Sequence, residues 1–342
     1  MTLERRYHRL LLAYPGPYRR GHGTEIVTTL LEMAPPGQTR PSASDVWHLF
    51  RSGLRQRFRL PSGRPLVWVA AVLITVVTGA FGAAAGSWVA EQTFTDLPGD
   101  AGIEALTRHA AGGGGGEFGM DRSASPWWTT LATGGVDAPS FTPEAAQARL
   151  TADGWSVTAI RNVPMSSFTE DPVTGATIEL SASGSVFEAT RDGLTMQVSG
   201  HVTPEHGTIS AEFWPADTGA MRPLMLAGAA LGLIAGWLLT ASGAYRMRAL
   251  SPGRRRSVAV LTGLALVTLA LPALALWVNV GRVLRPTDRL VWTVHSAFHP
   301  GPYWSYGPKW MVLELAVVGL VLAAGAWVLL LRRHPAPAPV TA

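Results

Sequence analysis

Four long stretches of the chain are almost entirely apolar. They occupy residues 65–90, 223–244, 258–279 and 310–331. A helix needs about 20 residues to cross a hydrocarbon core of about 30 Å, so each stretch is long enough to do so. The pattern predicts a multi-pass α-helical membrane protein with four transmembrane helices. Because the first stretch follows the patterned residues 1–62, we interpret it as a membrane anchor and not as a cleavable signal peptide.

Arginine is distributed unevenly around these stretches, and the distribution predicts the topology. About 11 of the 28 basic residues precede the first stretch, and five arginines crowd the link at 245–257. The segment between the first two stretches is acidic. Since basic loops remain in the cytoplasm, we expect an N-in, C-in chain in the bacterial inner (cell) membrane, with a cytoplasmic tail at 332–342.

Charge and composition narrow the classes of partner. The formal net charge is +5, but the arginines flank apolar stretches, where anionic headgroups attract them. We therefore expect anionic inner-leaflet lipids as partners, and no nucleic acid. The predicted inner-leaflet contacts are Arg55, Arg57, Arg59, Arg254, Arg255 and Arg256. The chain has no cysteine, which excludes disulfides, thiolate metal sites and cysteine nucleophiles.

Residues 1–62 are predicted to form a module of three short helices. The Pro-Gly-Pro sequence at 15–17 ends the first helix. The third begins near Ser42 or Ser44, either of which can cap it, and Asp45 favours its positive end. Its expected apolar face consists of Val46, Phe50, Leu54 and Phe58. Since so small a core is marginal alone, we expect the module to dock on the inner leaflet or on a partner.

A short motif opens the chain: Glu4-Arg5-Arg6-Tyr7, Tyr14-Pro15, Tyr18-Arg19-Arg20 and Gly23-Thr24-Glu25. It resembles the helical prefix found before bacterial permease-type membrane domains. It is also similar to the helical N-terminus of uncharacterised actinobacterial integral membrane proteins. Such modules tend to accompany PadR-type transcriptional regulators. The resemblance covers residues 1–62 and implies a cytoplasmic adaptor that binds a protein partner.

The acidic segment divides into a tether and a folded part. Residues 91–140 are poorly patterned and glycine-rich, which is typical of an extracytoplasmic linker. Within them, Trp127 and Trp128 are expected to rest at the membrane interface or to cap the next domain. Residues 141–217 predict one helix, starting at Thr142-Pro143, and four or five antiparallel strands with a tight turn at Asp192-Gly193. We expect a small extracytoplasmic α+β domain.

Glycines recur at four-residue spacing within two apolar stretches. Gly82 and Gly86 share one face of the first, and Gly228, Gly232 and Gly236 share one face of the second. Small residues let helix backbones approach closely. Two interpretations remain open: packing within the four-helix bundle, which we favour, or a homodimer seam through the glycine face of the second transmembrane helix.

Candidate chemistry is sparse. The glycines at 114, 116 and 119 match a dinucleotide-binding motif by letter, but no strand and helix surround them. Glu314 near the start of the fourth stretch is a possible intramembrane functional charge, with Arg282, Arg285 or His295 as partners. His295 and His299 in the outer loop 280–309 form a second candidate site, four residues apart, although no third metal ligand accompanies them. We expect no cofactor, no metal and no catalytic residue.

Two functions fit these patterns. The first is a non-enzymatic membrane protein that couples an extracytoplasmic sensing or binding domain to the cytoplasmic module, in a signalling or regulatory role. The second is a small transporter, or an accessory subunit of a permease, that uses Glu314 as its intramembrane carboxylate. An enzyme ranks third, because no local spacing pairs a nucleophile with a base.

Overall fold

The computed structural model describes residues 2–14, 16–60, 65–113, 116–128, 130–170, 177–202, 207–285, 290–299, 306–308 and 310–332. The description does not extend to the side chains of Pro17 and Arg57, or to those at 165–183 and 201–202. Several predicted features therefore lie outside the described residues. They are the Arg57 side chain, the glycine at 114, part of the outer loop and most of the tail 332–342.

Four helices are long and apolar enough to cross a membrane: α4 (Pro65–Glu91), α7 (Met221–Arg248), α8 (Pro252–Leu284) and α9 (Met311–Leu331). α7 and α8 extend beyond the apolar stretches that predicted them. The basic link expected at 245–257 is therefore mostly helical, and only residues 249–251 separate the two helices. Pro272 lies inside α8.

The remaining elements precede or interrupt these helices. α1 (Leu3–Leu10), α2 (Gly16–Glu32) and α3 (Ala43–Phe58) come first; α5 (Asp100–Ala111) and α6 (Pro143–Ala152) follow α4. The strands are β1 (Phe118–Ser123), β2 (Leu131–Asp137), β3 (Ser156–Val157), β4 (Arg161–Glu170), β5 (Thr177–Arg191), β6 (Leu194–Val202) and β7 (Gly207–Pro215). Single 3-10 turns form at Leu11–Ala13 and His295–Phe298.

The chain divides into two compact units. The first contains Met1–Gly79, Leu231–Ala270 and Val317–Ala342, and the second contains Ala80–Ala230 and Leu271–Ala316. Each of the four long helices contributes residues to both units.

The N-terminal module lies in the first unit. Its core consists of Tyr7, Leu11, Tyr14, Val27 and Leu49. Ser42 caps α3, as expected, and forms a reciprocal capping box with Asp45. The Tyr7 hydroxyl donates to the Asp45 carboxylate at 3.1 Å, which ties the first helix to the start of the third.

The apolar face expected on α3 does not pack into the core of the module. Val46, Phe50 and Leu54 are exposed, whereas Leu49 and Gly53 face the module. A Cβ at Gly53 would lie 2.8 Å from the Ala13 Cβ, so the helix approaches through its glycine. The face of α3 that meets the module is therefore the one with its small residue, where the two backbones approach closely.

The glycine faces pack within the chain. In the second unit, a Cβ at Gly228 would collide with the Gly82 carbonyl, and one at Gly86 with the Leu224 carbonyl. In the first unit, the backbone of Thr78 excludes a Cβ at Gly232, and α4 also crowds Gly236. The glycine faces thus pack α7 against α4 within one chain, which is the first of the two interpretations. A homodimer seam on this face would have to displace α4.

The second unit contains an antiparallel sheet of seven strands in the order β1-β2-β7-β6-β5-β3, with β4 paired to β5. The expected linker at 91–140 is wrong over α5, β1 and β2. These elements belong to the sheet domain, because α5 buries Ile103 and Ala110 in the same core as the strands. The Asp192-Gly193 turn is confirmed: both residues have positive φ, 50° and 78°.

Candidate functional site

One face of the sheet is apolar and the other is polar, since side chains alternate along a strand. Met196 and Val198 on β6 pack in the core with α5 and α6, whereas Thr195 and Gln197 project from the opposite face. Both polar side chains are nevertheless buried. The Gln197 Oε1 atom has no hydrogen-bond partner within the described part of the chain. The polar face is therefore covered at these two positions of β6, whereas Thr190 on β5 is exposed.

A cavity of about 270 Å³ lies at one end of this polar face. Glu188, Thr190, Thr195 and Trp214 line its sheet side. Its other side consists of the first turn of α7, the last turn of α8 and residues 290–292. Because strands and long helices share its walls, an occupant would contact both.

Charges of both signs line the cavity. Glu188 lies on β5 and Asp217 just after β7, whereas Arg222 lies on α7 and Arg285 directly follows α8. The Arg222 Nε atom donates to the Val283 carbonyl at 3.2 Å, which joins the two helix ends. Among the described residues, no ion pair within 4.0 Å joins these carboxylates to these guanidinium groups. The carboxylates and the guanidinium groups thus stand on different walls of the cavity, and Glu188 also lies 3.8 Å from the Arg161 guanidinium.

A buried polar cluster lies beside these helix ends. The His295 Nε2 atom is 2.7 Å from the Glu91 carboxylate, and its Nδ1 atom is 3.1 Å from the Ser87 hydroxyl. The Ser87 oxygen also accepts the Val294 amide at 2.8 Å and lies 3.3 Å from the Met221 sulfur. The cluster joins α4 to the segment 290–299.

The serine, histidine and carboxylate have the partners of a hydrolytic triad but not its access. Ser87 has no exposed surface. Its oxygen is already occupied by the Val294 amide, so no substrate carbonyl reaches it in this arrangement. The geometry is that of a structural clamp between a helix and a loop.

Asn279 extends the clamp to a second segment. Its side-chain amide donates to the carbonyls of Pro126 at 2.7 Å, Thr293 at 3.2 Å and Val294 at 3.3 Å. The Ser296 hydroxyl is within reach of the Pro126 and Thr293 carbonyls. These bonds hold residues 126–128 and 290–299 against the end of α8.

The tryptophans at 127 and 128 cap this junction. The Trp128 ring lies 5.6 Å from the Trp292 ring, and the Arg282 guanidinium lies 4.4 Å from the Trp127 ring centre. A cation over an aromatic face is favourable, most of all away from water. These contacts are with the end of α8 and with Trp292, not with the folded part at 141–217 that the pair was expected to cap.

The two predicted loop histidines are neighbours, with ring centres 6.1 Å apart and nearly perpendicular planes. Burial lowers the pKa of His299, and the nearby His295 acts in the same direction. Burial also raises the pKa of Tyr306. Within the described residues, no three His, Cys, Asp or Glu side chains come together as a metal site.

Glu314 lies on the first turn of α9 and is exposed. No described residue forms an ion pair with it, so the partners expected from the outer loop do not approach it. A carboxylate in the first turn favours the positive end of the helix. Glu314 therefore has a favourable interaction with the end of its own helix.

The predicted inner-leaflet arginines have different surroundings. Arg254 donates to the carbonyls of Leu329 and Arg332, and Arg255 donates to carbonyls at the end of α7. These two guanidinium groups satisfy carbonyls at helix ends. Arg55, Arg59 and Arg256 are exposed.

Sequence reasoning missed Ser87, Glu91, Asn279 and Glu188 as members of a site. Ser87 and Glu91 are more than 200 residues from His295, so no local spacing joins them. One signal was available: Asn279 is a polar side chain near the end of an apolar stretch, and such residues usually find polar partners.

No protein-family model matches the chain. No curated protein and no solved structure matches it.

Proposed function

We propose that this chain is a non-enzymatic, multi-pass protein of the bacterial inner membrane that senses a polar ligand outside the cell. Its sheet domain would lie on the extracytoplasmic side, and residues 1–62 would act as a cytoplasmic adaptor for a protein partner. The charge distribution supports this orientation, because arginines concentrate near one end of the four helices. The role is signalling or regulation rather than chemistry.

The cavity shared by the sheet and the helix ends carries this proposal. A ligand held by Glu188 and Thr195 would also contact Arg222 on α7 and Arg285 at the end of α8. Its affinity would therefore differ between conformational states in which these helix ends are placed differently. A ligand shifts the equilibrium toward the state that it binds more tightly. The adjacent Ser87 and Asn279 bonds make the helix ends and loops a connected network.

Orientation is tested first, with single cysteines in this cysteine-free chain. Thr190→Cys should react with a membrane-impermeant maleimide in intact cells, whereas Ser44→Cys should react only after permeabilisation. Reporter fusions after Ala216 should report outside, and those after Arg254 inside. The opposite labelling pattern would invert the proposed topology.

Coupling is tested by filling the cavity. A bulky maleimide on Thr190→Cys should change amide exchange at 221–228 and at 290–299 and, if the signal crosses the membrane, within residues 3–60. Asp121→Cys, on an exposed position of β1 away from the cavity, is the matched control. Exchange in the module that is identical for both labelled proteins would contradict the sensing proposal.

The transporter alternative has no observation in its favour among the described residues. It relied on Glu314, which is exposed and lies one turn from the start of α9. Glu314→Gln should leave any ion- or pH-dependent uptake into vesicles at the level of the unmodified protein. Loss of such uptake would revive this alternative.

A further inference from the structure

We propose that α3 of the N-terminal module lies in the membrane interface and binds the anionic bilayer surface through an apolar stripe. This stripe consists of Val46, Trp47, Phe50 and Leu54, which are 36%, 65%, 48% and 36% exposed. The inference rests on the proposed function in one respect only, namely which leaflet the stripe binds.

The three faces of α3 have different chemistry. At about 100° per residue, Leu49 and Gly53 fall on the face packed against the module. The apolar stripe follows on one side of that face. Arg51 and Arg55 come next around the helix, at the far edge of the stripe, and both are exposed. Trp, Phe and Leu beside arginine is the pattern of a helix that lies in the headgroup region.

The end of α3 is held to a long helix. The Trp237 indole donates to the Phe58 carbonyl at 2.9 Å, and the Tyr245 hydroxyl donates to the Arg59 carbonyl at 3.1 Å. Leu60 is buried with Ala71 and Ala241. These anchors lie around residue 244, where the apolar stretch of α7 ends. α3 therefore finishes at the level where α7 leaves the apolar layer.

Aromatic and basic side chains mark the same level independently. The Trp68 and Trp237 rings pack edge to face at 5.7 Å. The Arg246 guanidinium lies 5.7 Å from the Trp327 ring, and Arg248 lies 5.5 Å from the Tyr245 ring. Belts of Trp and Tyr with arginine are enriched where helices leave the hydrocarbon. Because α3 is attached at this belt, lipid is the occupant that its stripe fits.

The test uses the full-length chain in lipid nanodiscs, where both leaflets have the same composition. Orientation in a cell then has no influence, so failure here is distinct from failure of the topology. A nitroxide on Phe50→Cys reports whether the stripe contacts lipid, through its collision with oxygen and with a water-soluble nickel chelate. His48→Cys, on the basic side of α3, is the matched control, and Trp47→Cys is a second stripe position.

In phosphatidylglycerol nanodiscs, labels at Phe50 and Trp47 should be oxygen-accessible and protected from the chelate, whereas the label at His48 should remain chelate-accessible. Each arginine near an anionic surface contributes about fivefold to binding. Combined Arg51→Gln and Arg55→Gln changes should therefore lower the ratio of lipid-immersed to water-exposed label by about 25-fold.

Two results would overturn the proposal. Equal chelate access at Phe50, Trp47 and His48 would leave the stripe free for a protein partner instead of lipid. Protection at Phe50 that appears only with two chains per nanodisc would make a second copy the occupant. Protection with one chain per nanodisc supports the bilayer.

Discussion

Ser87→Ala tests whether the buried cluster stabilises the junction of helices and loop. The substitution removes one oxygen and leaves the Val294 amide without its acceptor. A buried amide left unsatisfied costs about 1–3 kcal/mol, and loss of the bond to His295 adds about 0.5–1.5 kcal/mol. Ser87 has no exposed surface, so water cannot replace these bonds without rearrangement. We expect destabilisation of about 2–4 kcal/mol.

The assay combines unfolding in mixed detergent micelles with amide exchange measured by mass spectrometry. The Val294 amide should exchange faster in Ser87→Ala, because the bond that protects it is gone. Ser257→Ala is the matched control, since the Ser257 hydroxyl donates to the Gly253 carbonyl of its own helix and the residue is exposed. Equal unfolding midpoints for both variants, with unchanged exchange at Val294, would refute the clamp.

Three further predictions address other parts of the chain. Burial lowers the pKa of His299, so protonation of this histidine favours the unfolded state of its segment. Protection of the 290–299 amides from hydrogen exchange should therefore be complete above pH 6.5 and decline below it. His299→Gln should remove this decline. Ser42→Ala should destabilise the N-terminal module by about 1 kcal/mol, measured by amide exchange in α3, whereas Ser44→Ala should have a smaller effect because Ser42 is the cap. Gly232→Ala should destabilise the chain in detergent, because the new methyl group would collide with the Thr78 backbone. A Cβ at Gly263 meets nothing within 4 Å, so Gly263→Ala should stabilise the chain by about 1 kcal/mol. Changes in unfolding free energy of the same sign for both variants would contradict close helix packing.

The sheet and the ends of α7 and α8 meet at the cavity, so substitutions near this meeting point should affect the cavity. The cavity wall and the buried cluster share α7, α8 and residues 290–299, so changes at Asn279 or His295 should alter the affinity of the proposed ligand although neither residue lines the cavity. Such effects are expected where a network has two arrangements that a ligand distinguishes. Residues on the far side of the sheet, such as those of α6, should affect stability alone.

The sequence was sufficient wherever structure follows from local pattern. The four apolar stretches predicted the four long helices to within a few residues at most ends, because twenty apolar residues have few alternatives. Ser42 and the Asp192-Gly193 turn were also predictable, since capping and positive φ depend on a few neighbouring residues. The glycines at 228, 232 and 236 indicated close helix packing for the same reason.

Features decided by distant residues were not predictable. Glycine-rich sequence at 91–140 indicated a linker, yet β1 pairs with β2, and β2 pairs with β7, a strand formed far along the chain. Periodicity grouped Val46 and Phe50 on one apolar face of α3, but only the tertiary structure shows that the helix packs against the module through Leu49 and Gly53 instead. Local preference yields to tertiary packing in both cases.

The candidate site shows the same division. The sequence alone singled out His295 and His299 and left them without a third partner. Only the tertiary structure brought Ser87 and Glu91 to His295, and Glu188 to the same cavity as Arg222. Hydrophobic length and helix caps are properties of neighbouring residues, and a single sequence carries them directly. Polar contacts across 200 residues depend on how strands and helices pack, and that is determined only when the whole chain has folded.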